Sequence, residues 1–201
     1  MQRATRFFAR NIPVALAAVL WAILSPEMVG QTSAIPATVQ LRLFAKIWMF
    51  DRSIPENGQI VMAVLYQPDF RASDEAKKQL AEAVRADGSR IRCIPVAVDD
   101  AARIASQLEH VKADVFYVTE IRGLNVLDVT RFSRLHHVKT ITVTPGYVES
   151  GIAIGLSVRN DKPVIIINLS AANAEGSDLT AQLLSVSTVI NRTAERIGTT
   201  Q

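Results

Sequence analysis

The chain has 201 residues, of which 49% are hydrophobic and 20% are charged. This balance excludes disordered and collagen-like proteins and fits one domain, or at most two small ones. The single cysteine excludes an intramolecular disulfide bond and a multi-thiolate zinc site. Most of the net charge of +3 comes from the first 34 residues, so the remainder lacks the basic character of a nucleic-acid-binding domain.

The first 34 residues have the pattern of a secretory signal peptide. Arg3, Arg6 and Arg10 precede the uncharged apolar stretch Ile12–Leu24, and small residues ending at Ala34 form a cleavage site. The apolar stretch is shorter than the roughly 20 residues that a transmembrane helix needs, although an uncleaved anchor is the alternative. We therefore expect cleavage near Ala34, export to the periplasm, and a soluble mature chain, residues 35–201, that folds as one domain.

The mature chain alternates predicted helices and strands in the order typical of a parallel α/β sheet. Helices are predicted at 37–50, 73–86, 99–108 and 123–135, and strands at 60–66, 91–98, 115–119 and 140–144. Strands at 151–158 and 164–169 are separated by a short turn and must form an antiparallel hairpin. A long helix at 179–197 closes the chain. The predicted fold is a mostly parallel open α/β sheet of about six strands, with a flavodoxin-like or receiver-like order of elements, followed by the hairpin and the long C-terminal helix.

The sequence has no recognisable motif for catalysis, phosphate binding or metal binding. It contains no G-x-G-x-x-G, Walker or G-x-S-x-G motif. Cys93 lies among apolar residues of a predicted strand, which favours a buried, inert thiol over a nucleophile. The adjacent His136 and His137 lack metal-motif spacing and are interpreted as a solvated helix end, and Asp99 and Asp100 as helix-capping carboxylates. We predict no catalytic residue, no bound metal and no cofactor.

Loops at the carboxyl ends of the predicted strands form the candidate binding surface, because ligands and partners of open parallel sheets meet this edge. The side chains chosen there on topology alone are Tyr66, Gln67, Glu120, Tyr147 and Glu149. They include aromatic and acidic groups but no acid–base pair at a recognisable spacing, and aromatic residues at loop tips serve recognition as readily as catalysis. The residues alone therefore favour a binding module.

The order of several short motifs resembles the YfiR family. The motifs are the strand Thr140–Thr144, the segment Val148–Gly151, the strand end Lys162–Leu169, the small-residue segment Ala171–Gly176 and the helix start Leu179–Leu184. Upstream, Leu43–Lys46 is similar to the family's first helix, and Ile60–Phe70 to its strand and loop. The resemblance extends from about Ala37 to Ile190. Where the family often has cysteines, this chain has Met62–Val64 and Lys112–Asp114, so disulfide-dependent control is not implied.

The resemblance implies a small exported bacterial protein that regulates by binding. The family's best-known member is a periplasmic repressor that restrains an inner-membrane diguanylate cyclase through the enzyme's periplasmic part. A non-catalytic regulator of a membrane signalling protein is therefore the leading functional hypothesis. The alternative is a small-molecule solute-binding component of a transporter or sensor kinase; an exported hydrolase is a third hypothesis, for which the sequence offers no nucleophile. Homodimerisation, through the first helix or an edge of the sheet, is left open.

Overall fold

The computed structural model describes residues 35–55, 57–87, 90–100 and 103–191. The predicted leader and the predicted cleavage site at Ala34 lie outside these residues. The helices are α1 (Ala37–Met49), α2 (Arg71–Asp87), α3 (Ile104–Glu109), α4 (Val126–His136), α5 (Leu169–Ala174) and α6 (Ala181–Ser185). The strands are β1 (Ile60–Tyr66), β2 (Ile91–Ala97), β3 (Val115–Val118), β4 (Lys139–Thr142), β5 (Ile154–Arg159), β6 (Lys162–Asn168) and β7 (Thr188–Ile190).

These strands form one sheet in the order β2-β1-β3-β4-β5-β6-β7. Neighbouring strands from β2 to β5 are parallel, β5 and β6 are antiparallel, and β7 runs parallel to β6. The order β2-β1-β3-β4-β5 is that of flavodoxin-like doubly wound sheets. The prediction of a mostly parallel α/β sheet with an antiparallel hairpin is confirmed, and the described residues contain one strand more than the six expected.

Helices cover both faces of the sheet, which explains why β1 reads as an uninterrupted apolar run. Successive residues of a strand point to opposite faces. Met62 and Val64 accordingly pack in one core with apolar residues of α1 and α2. Ala63 and Leu65 pack in a second core with residues of α3 and α4. The crossover helices thus hold the ends of β1 and β3 in fixed positions.

The predicted long C-terminal helix is wrong over the described residues. Leu179 forms an antiparallel bridge with Asp51, the helix α6 is only five residues long, and Thr188–Ile190 pairs with β6. The spacing that suggested a helix places Leu183 in the core, but Val186 is 72% exposed. The β-branched residues at 188–190 suit a strand, and the free edge of β6 offers them backbone hydrogen bonds. The predicted helix beyond Asn191 falls outside the described residues.

The β5–β6 hairpin projects beyond the carboxyl edge of the other parallel strands. β5 pairs with β4 only at Ile154 and Gly155, beside the last two residues of β4, and continues to Arg159. At about 3.3 Å per residue, these four further residues extend about 13 Å past β4. Gly155 also lets the β4–β5 connection lie close to the sheet, because a Cβ atom there would clash with Cγ2 of Val148. The hairpin therefore flanks the carboxyl edge of β4 on one side.

A buried glutamate links β4 to the segment that follows α5. Glu175 is 0% exposed; the backbone N–H of Thr140 donates to its Oε2 over 2.8 Å, and its Oε1 lies 2.6 Å from the Thr140 hydroxyl. That hydroxyl oxygen also accepts a hydrogen bond from the backbone N–H of Ala153. Burial raises the pKa of Glu175 to about 8, although the bonds from Thr140 oppose the shift. The carboxyl group is therefore mostly protonated at neutral pH.

Candidate functional site

The five side chains chosen from the sequence all belong to segments at the carboxyl edge of the sheet. Tyr66 is the last residue of β1 and Gln67 follows it, Glu120 lies two residues after β3, and Tyr147 and Glu149 lie in the β4–β5 connection. The chain leaves β1 for α2 on one face and leaves β3 for α4 on the other. In flavodoxin-like sheets this divergence creates the crevice where ligands bind. The candidate site is therefore located at this point of the fold.

Two of the five side chains clamp the loop between β3 and α4, residues 119–125. The side-chain amide of Gln67 donates to the carbonyl oxygen of Arg122 over 2.8 Å and accepts from its backbone N–H over 2.7 Å. The hydroxyl of Tyr147 accepts from the N–H of Ile121 over 3.0 Å and donates to the carbonyl oxygen of the same residue over 3.1 Å. Because each side chain satisfies both backbone groups of one loop residue, the loop is fixed without a ligand.

A pair of buried hydroxyls, missed by the sequence analysis, lies beneath this loop. Ser73 and Thr119 are at most 1% exposed, and their oxygens are 2.6 Å apart. Thr119 donates to the carbonyl oxygen of Leu65, so the hydrogen between the two hydroxyls must come from Ser73. Ser73 in turn accepts from the backbone N–H of Gln67. Ser73 lies inside the first turn of α2, so its bond to Thr119 ties that helix to the end of β3.

The side chains that remain exposed above the clamp carry opposite charges. The guanidinium of Arg122 lies 4.1 Å from the centre of the Phe70 ring, and its Nε is 3.8 Å from Oε1 of Glu120. The Glu120 and Arg122 side chains are 50% and 71% exposed. We call Phe70, Glu120 and Arg122 the carboxyl-edge surface. Its position depends on the clamp below, where burial raises the pKa of Tyr147 and the nearby Glu120 charge adds to the shift.

The remaining two predicted site residues are not part of the clamp. The Tyr66 ring lies under the ammonium group of Lys77, 4.0 Å from ring centre to Nζ, and so faces α2. Glu149 is exposed in the β4–β5 connection. The structure therefore brings Gln67, Tyr147 and the loop carrying Glu120 together, whereas the Tyr66 side chain faces α2 and Glu149 lies elsewhere in the β4–β5 connection.

The other residues singled out in the sequence lie elsewhere. Cys93 is half-buried in β2, and burial raises the pKa of its thiol to about 11. His136 ends α4 and His137 follows it in a left-handed conformation with φ of 55°. Both histidines line a cavity of about 220 Å³ at the opposite, amino edge of the sheet. Among the described residues, no group of three or more histidine, cysteine or acidic side chains is arranged to hold a metal ion.

Solved structures with a similar fold include one substrate-binding protein. A conserved domain protein from Vibrio cholerae aligns over 77% of this chain with a TM-score of 0.60 and 15% identity. An ABC domain in complex with L-Trp from Streptococcus pneumoniae gives the same coverage, TM-score and identity. A ligand-free, open substrate-binding protein with adhesive properties from Clostridium difficile aligns over 79%, with a TM-score of 0.61 and 14% identity.

The chain spans about three fifths of the length of these structures, from 60% to 62%. At such low identity the likeness establishes the fold alone. No curated protein matches the sequence significantly. No helix in the described part of the chain is long and apolar enough to cross a bilayer.

The sequence profile of the DUF4154 family, described as YfiR/HmsC-like, matches residues 53–188. The chain therefore belongs to the YfiR/HmsC-like family, as the motifs predicted.

Proposed function

We propose that this chain is a periplasmic regulatory protein that binds the periplasmic part of a membrane signalling protein, such as a diguanylate cyclase. In this proposal the carboxyl-edge surface is the contact region, and the chain performs no catalysis. Membership of the YfiR/HmsC-like family supports the regulatory class. The order of elements and the clamp support the choice of surface.

The contact region is chosen on one observation: the polar side chains in the crevice are already hydrogen-bonded to the 119–125 loop or to each other. Gln67 and Tyr147 are occupied by the backbone of the 119–125 loop, and the hydroxyl of Ser73 by that of Thr119. A partner therefore meets a preformed loop with Glu120 and Arg122 exposed on it. Charged pairs at the rim of an interface contribute to association rate and partner choice, and a preformed surface loses little entropy on binding.

The proposed location and domain organisation follow from the sequence. A signal peptide at residues 1–34, cleaved near Ala34, would deliver residues 35–201 to the periplasm as one regulatory domain. Mass spectrometry of the mature protein from a periplasmic extract tests this proposal. A new N-terminus near residue 35 is expected, and an unprocessed cytoplasmic protein would contradict it.

Crosslinking in intact cells tests the proposed partner class. The tagged full-length chain is crosslinked, membrane and soluble fractions are separated, and the captured proteins are identified by mass spectrometry. We expect a membrane signalling protein, and we expect the charge-reversed pair Glu120→Arg with Arg122→Glu to lose it. The matched control is Glu109→Arg, an exposed glutamate at the end of α3 near the amino edge of the sheet. Equal capture by both variants would contradict the proposed surface.

Solute binding is the second candidate, because similar structures include a substrate-binding protein and a complex with L-Trp. A ligand that binds only the folded state raises the melting temperature in proportion to the logarithm of its concentration. A thermal-shift screen with amino acids and small organic acids tests this alternative. A concentration-dependent rise without any captured membrane protein would favour solute binding over partner regulation.

The two edges of the sheet are poorly suited to the homodimer that the sequence left open. The N–H of Val98 bonds to the carbonyl of Tyr66, and the carbonyl of Arg90 accepts from Ile60, so the backbone groups of the even-numbered residues of β2 point toward β1. The backbone groups of the odd-numbered residues, including Pro95, therefore point away from the sheet. Proline has no N–H to donate, and it protects a strand edge from pairing. The opposite edge strand, β7, has only three residues. A homodimer would therefore use a surface other than an extended sheet.

A further inference from the structure

A groove between α2 and the edge strand β2 has a cavity volume of about 290 Å³. Its floor contains the Tyr66 ring together with Cys93 and Pro95 of β2. The groove is open because β2 is the last strand on this side of the sheet. α2 packs over β1 and β2 on one face of the sheet, and within the described part of the chain no strand pairs with the outer edge of β2. The volume is at the lower end of the range of small-molecule sites.

Cationic side chains of α2 form one wall of this groove. Lys77, Lys78 and Arg85 line the cavity against a single lining acid, Glu82. Lys78, Glu82 and Arg85 share one face of the helix, because successive members are four and three residues apart, and Lys77 borders that face. Asp74 beside the groove pairs with both lysines. With Asp74 included, three cations face two carboxylates, so the groove combines an apolar floor with a single excess positive charge.

The three cations are held differently. Lys77 is only 18% exposed, and its ammonium group is fixed between Asp74 and the Tyr66 ring. Lys78 is 68% exposed and bonds to the other oxygen of Asp74 over 2.7 Å. Arg85 is anchored by its Nε to the carbonyl oxygen of Ala81 over 3.3 Å. Lys78 can turn toward an anion in the groove by giving up its bond to Asp74, which costs little because the lysine is exposed. Arg85 can do so while its Nε stays on Ala81, whereas Lys77 stays in place.

We propose that this groove binds a small organic anion with an apolar body. The carboxylate or other anionic group would bond to Lys78 and Arg85, and the apolar body would cover Cys93, Pro95 and the side of the Tyr66 ring. The groove is separate from the carboxyl-edge surface, but the two share β1. Tyr66 lines the groove, and the next residue, Gln67, clamps the 119–125 loop. An anion in the groove thus contacts the residue adjacent to the clamp.

A pair of probes that differ only in charge tests the proposal. The ¹⁵N-labelled mature chain is titrated with 3-phenylpropionate and, separately, with its neutral amide, 3-phenylpropanamide, and amide shifts are followed by NMR. We expect saturable shifts centred on Lys78, Arg85 and Cys93 with the carboxylate, and at least tenfold weaker binding of the amide. Equal binding of both probes, shifts centred elsewhere, or no saturable binding at millimolar concentration would overturn the proposal.

Matched variants locate the anion contact. Lys78→Met with Arg85→Met removes both charges while keeping apolar stems, and we expect it to weaken 3-phenylpropionate binding at least tenfold. Arg131→Met on α4 removes an exposed charge on the opposite face of the sheet and should leave binding unchanged. Unchanged affinity in the double variant, with its NMR spectrum still folded, would overturn the assignment. These measurements use the isolated protein, so their outcome is independent of whether a membrane partner is found.

Discussion

The buried carboxyl group of Glu175 makes a prediction about how stability depends on pH. Its folded-state pKa is raised to about 8 from an ordinary value of 4.5. Between these values the folded protein holds a proton that the unfolded chain releases. Stability therefore decreases as pH rises through this window. Glu175→Gln removes the titration and keeps an acceptor for the Thr140 N–H. The Thr140 hydroxyl, which donates to Oε1 of Glu175, must rotate to accept from the new amide group.

The size of the effect follows from the two pKa values. One pKa unit corresponds to about 1.4 kcal/mol, and linkage over the window from pH 5 to pH 8 gives roughly 3 kcal/mol. The wild-type protein should lose about this much free energy of unfolding relative to Glu175→Gln over that range. This difference is a large part of the stability of a typical domain. It should therefore appear as a clear change in the urea midpoint.

Urea unfolding at intervals between pH 5 and pH 8 measures this difference, with fluorescence and circular dichroism as independent probes. Glu109→Gln, which changes an exposed glutamate, serves as the control and should follow the wild-type curve. Subtracting the Glu175→Gln curve removes the contributions of the other titrating groups. A constant difference between wild type and Glu175→Gln across the range, or one that favours the wild type as pH rises, would refute the reasoning.

Three further predictions concern packing and the thiol. Gly155→Ala places a Cβ atom against Val148 and should lower the free energy of unfolding in urea by about 1–3 kcal/mol. Adding Val148→Ala should restore part of this loss, and no recovery would show that the clash is not the cause. Tyr117→Phe leaves the buried Oε1 of Gln40 without its 2.9 Å donor and should cost about 1–3 kcal/mol; an unchanged midpoint would contradict that role. The thiol pKa of about 11 for Cys93 predicts alkylation at pH 8 about a hundredfold slower in the folded than in the unfolded chain, and equal rates would show that the thiol is not desolvated.

The parts of the fold that could be predicted from the sequence are those with a local signal. The apolar run Ile60–Tyr66 coincides with β1 because burial on both faces leaves no polar position in the strand. The turn residues around Asn160 predicted the hairpin, and Asn160 and Asp161 indeed have positive φ. The prediction of a C-terminal helix failed because pairing with β6 decides the conformation of residues 188–190, and no local sequence pattern indicates that pairing.

The location of the candidate site could be predicted from the sequence, but its hydrogen bonds could not. Topology was enough to locate the edge and to choose Gln67 and Tyr147, because the ends of parallel strands are fixed by the order of elements. Their role as a clamp depends on bonds across 55 and 26 residues of chain. The hydroxyl pair of Ser73 and Thr119 is separated by 46 residues, and neither residue carries a local signal of the other. Contacts of this kind are visible only once the chain is folded.

The central claim, that the carboxyl-edge surface contacts a membrane signalling protein, is tested most directly by site-specific photocrosslinking in living cells. A photoreactive amino acid replaces Glu120 or Arg122 in turn, and a control replaces Glu109 near the amino edge of the sheet. We predict that the first two positions crosslink to a membrane signalling protein and that the control position does not. Crosslinks to that protein only from the control position, or none from the carboxyl-edge positions in folded, exported protein, would contradict the account.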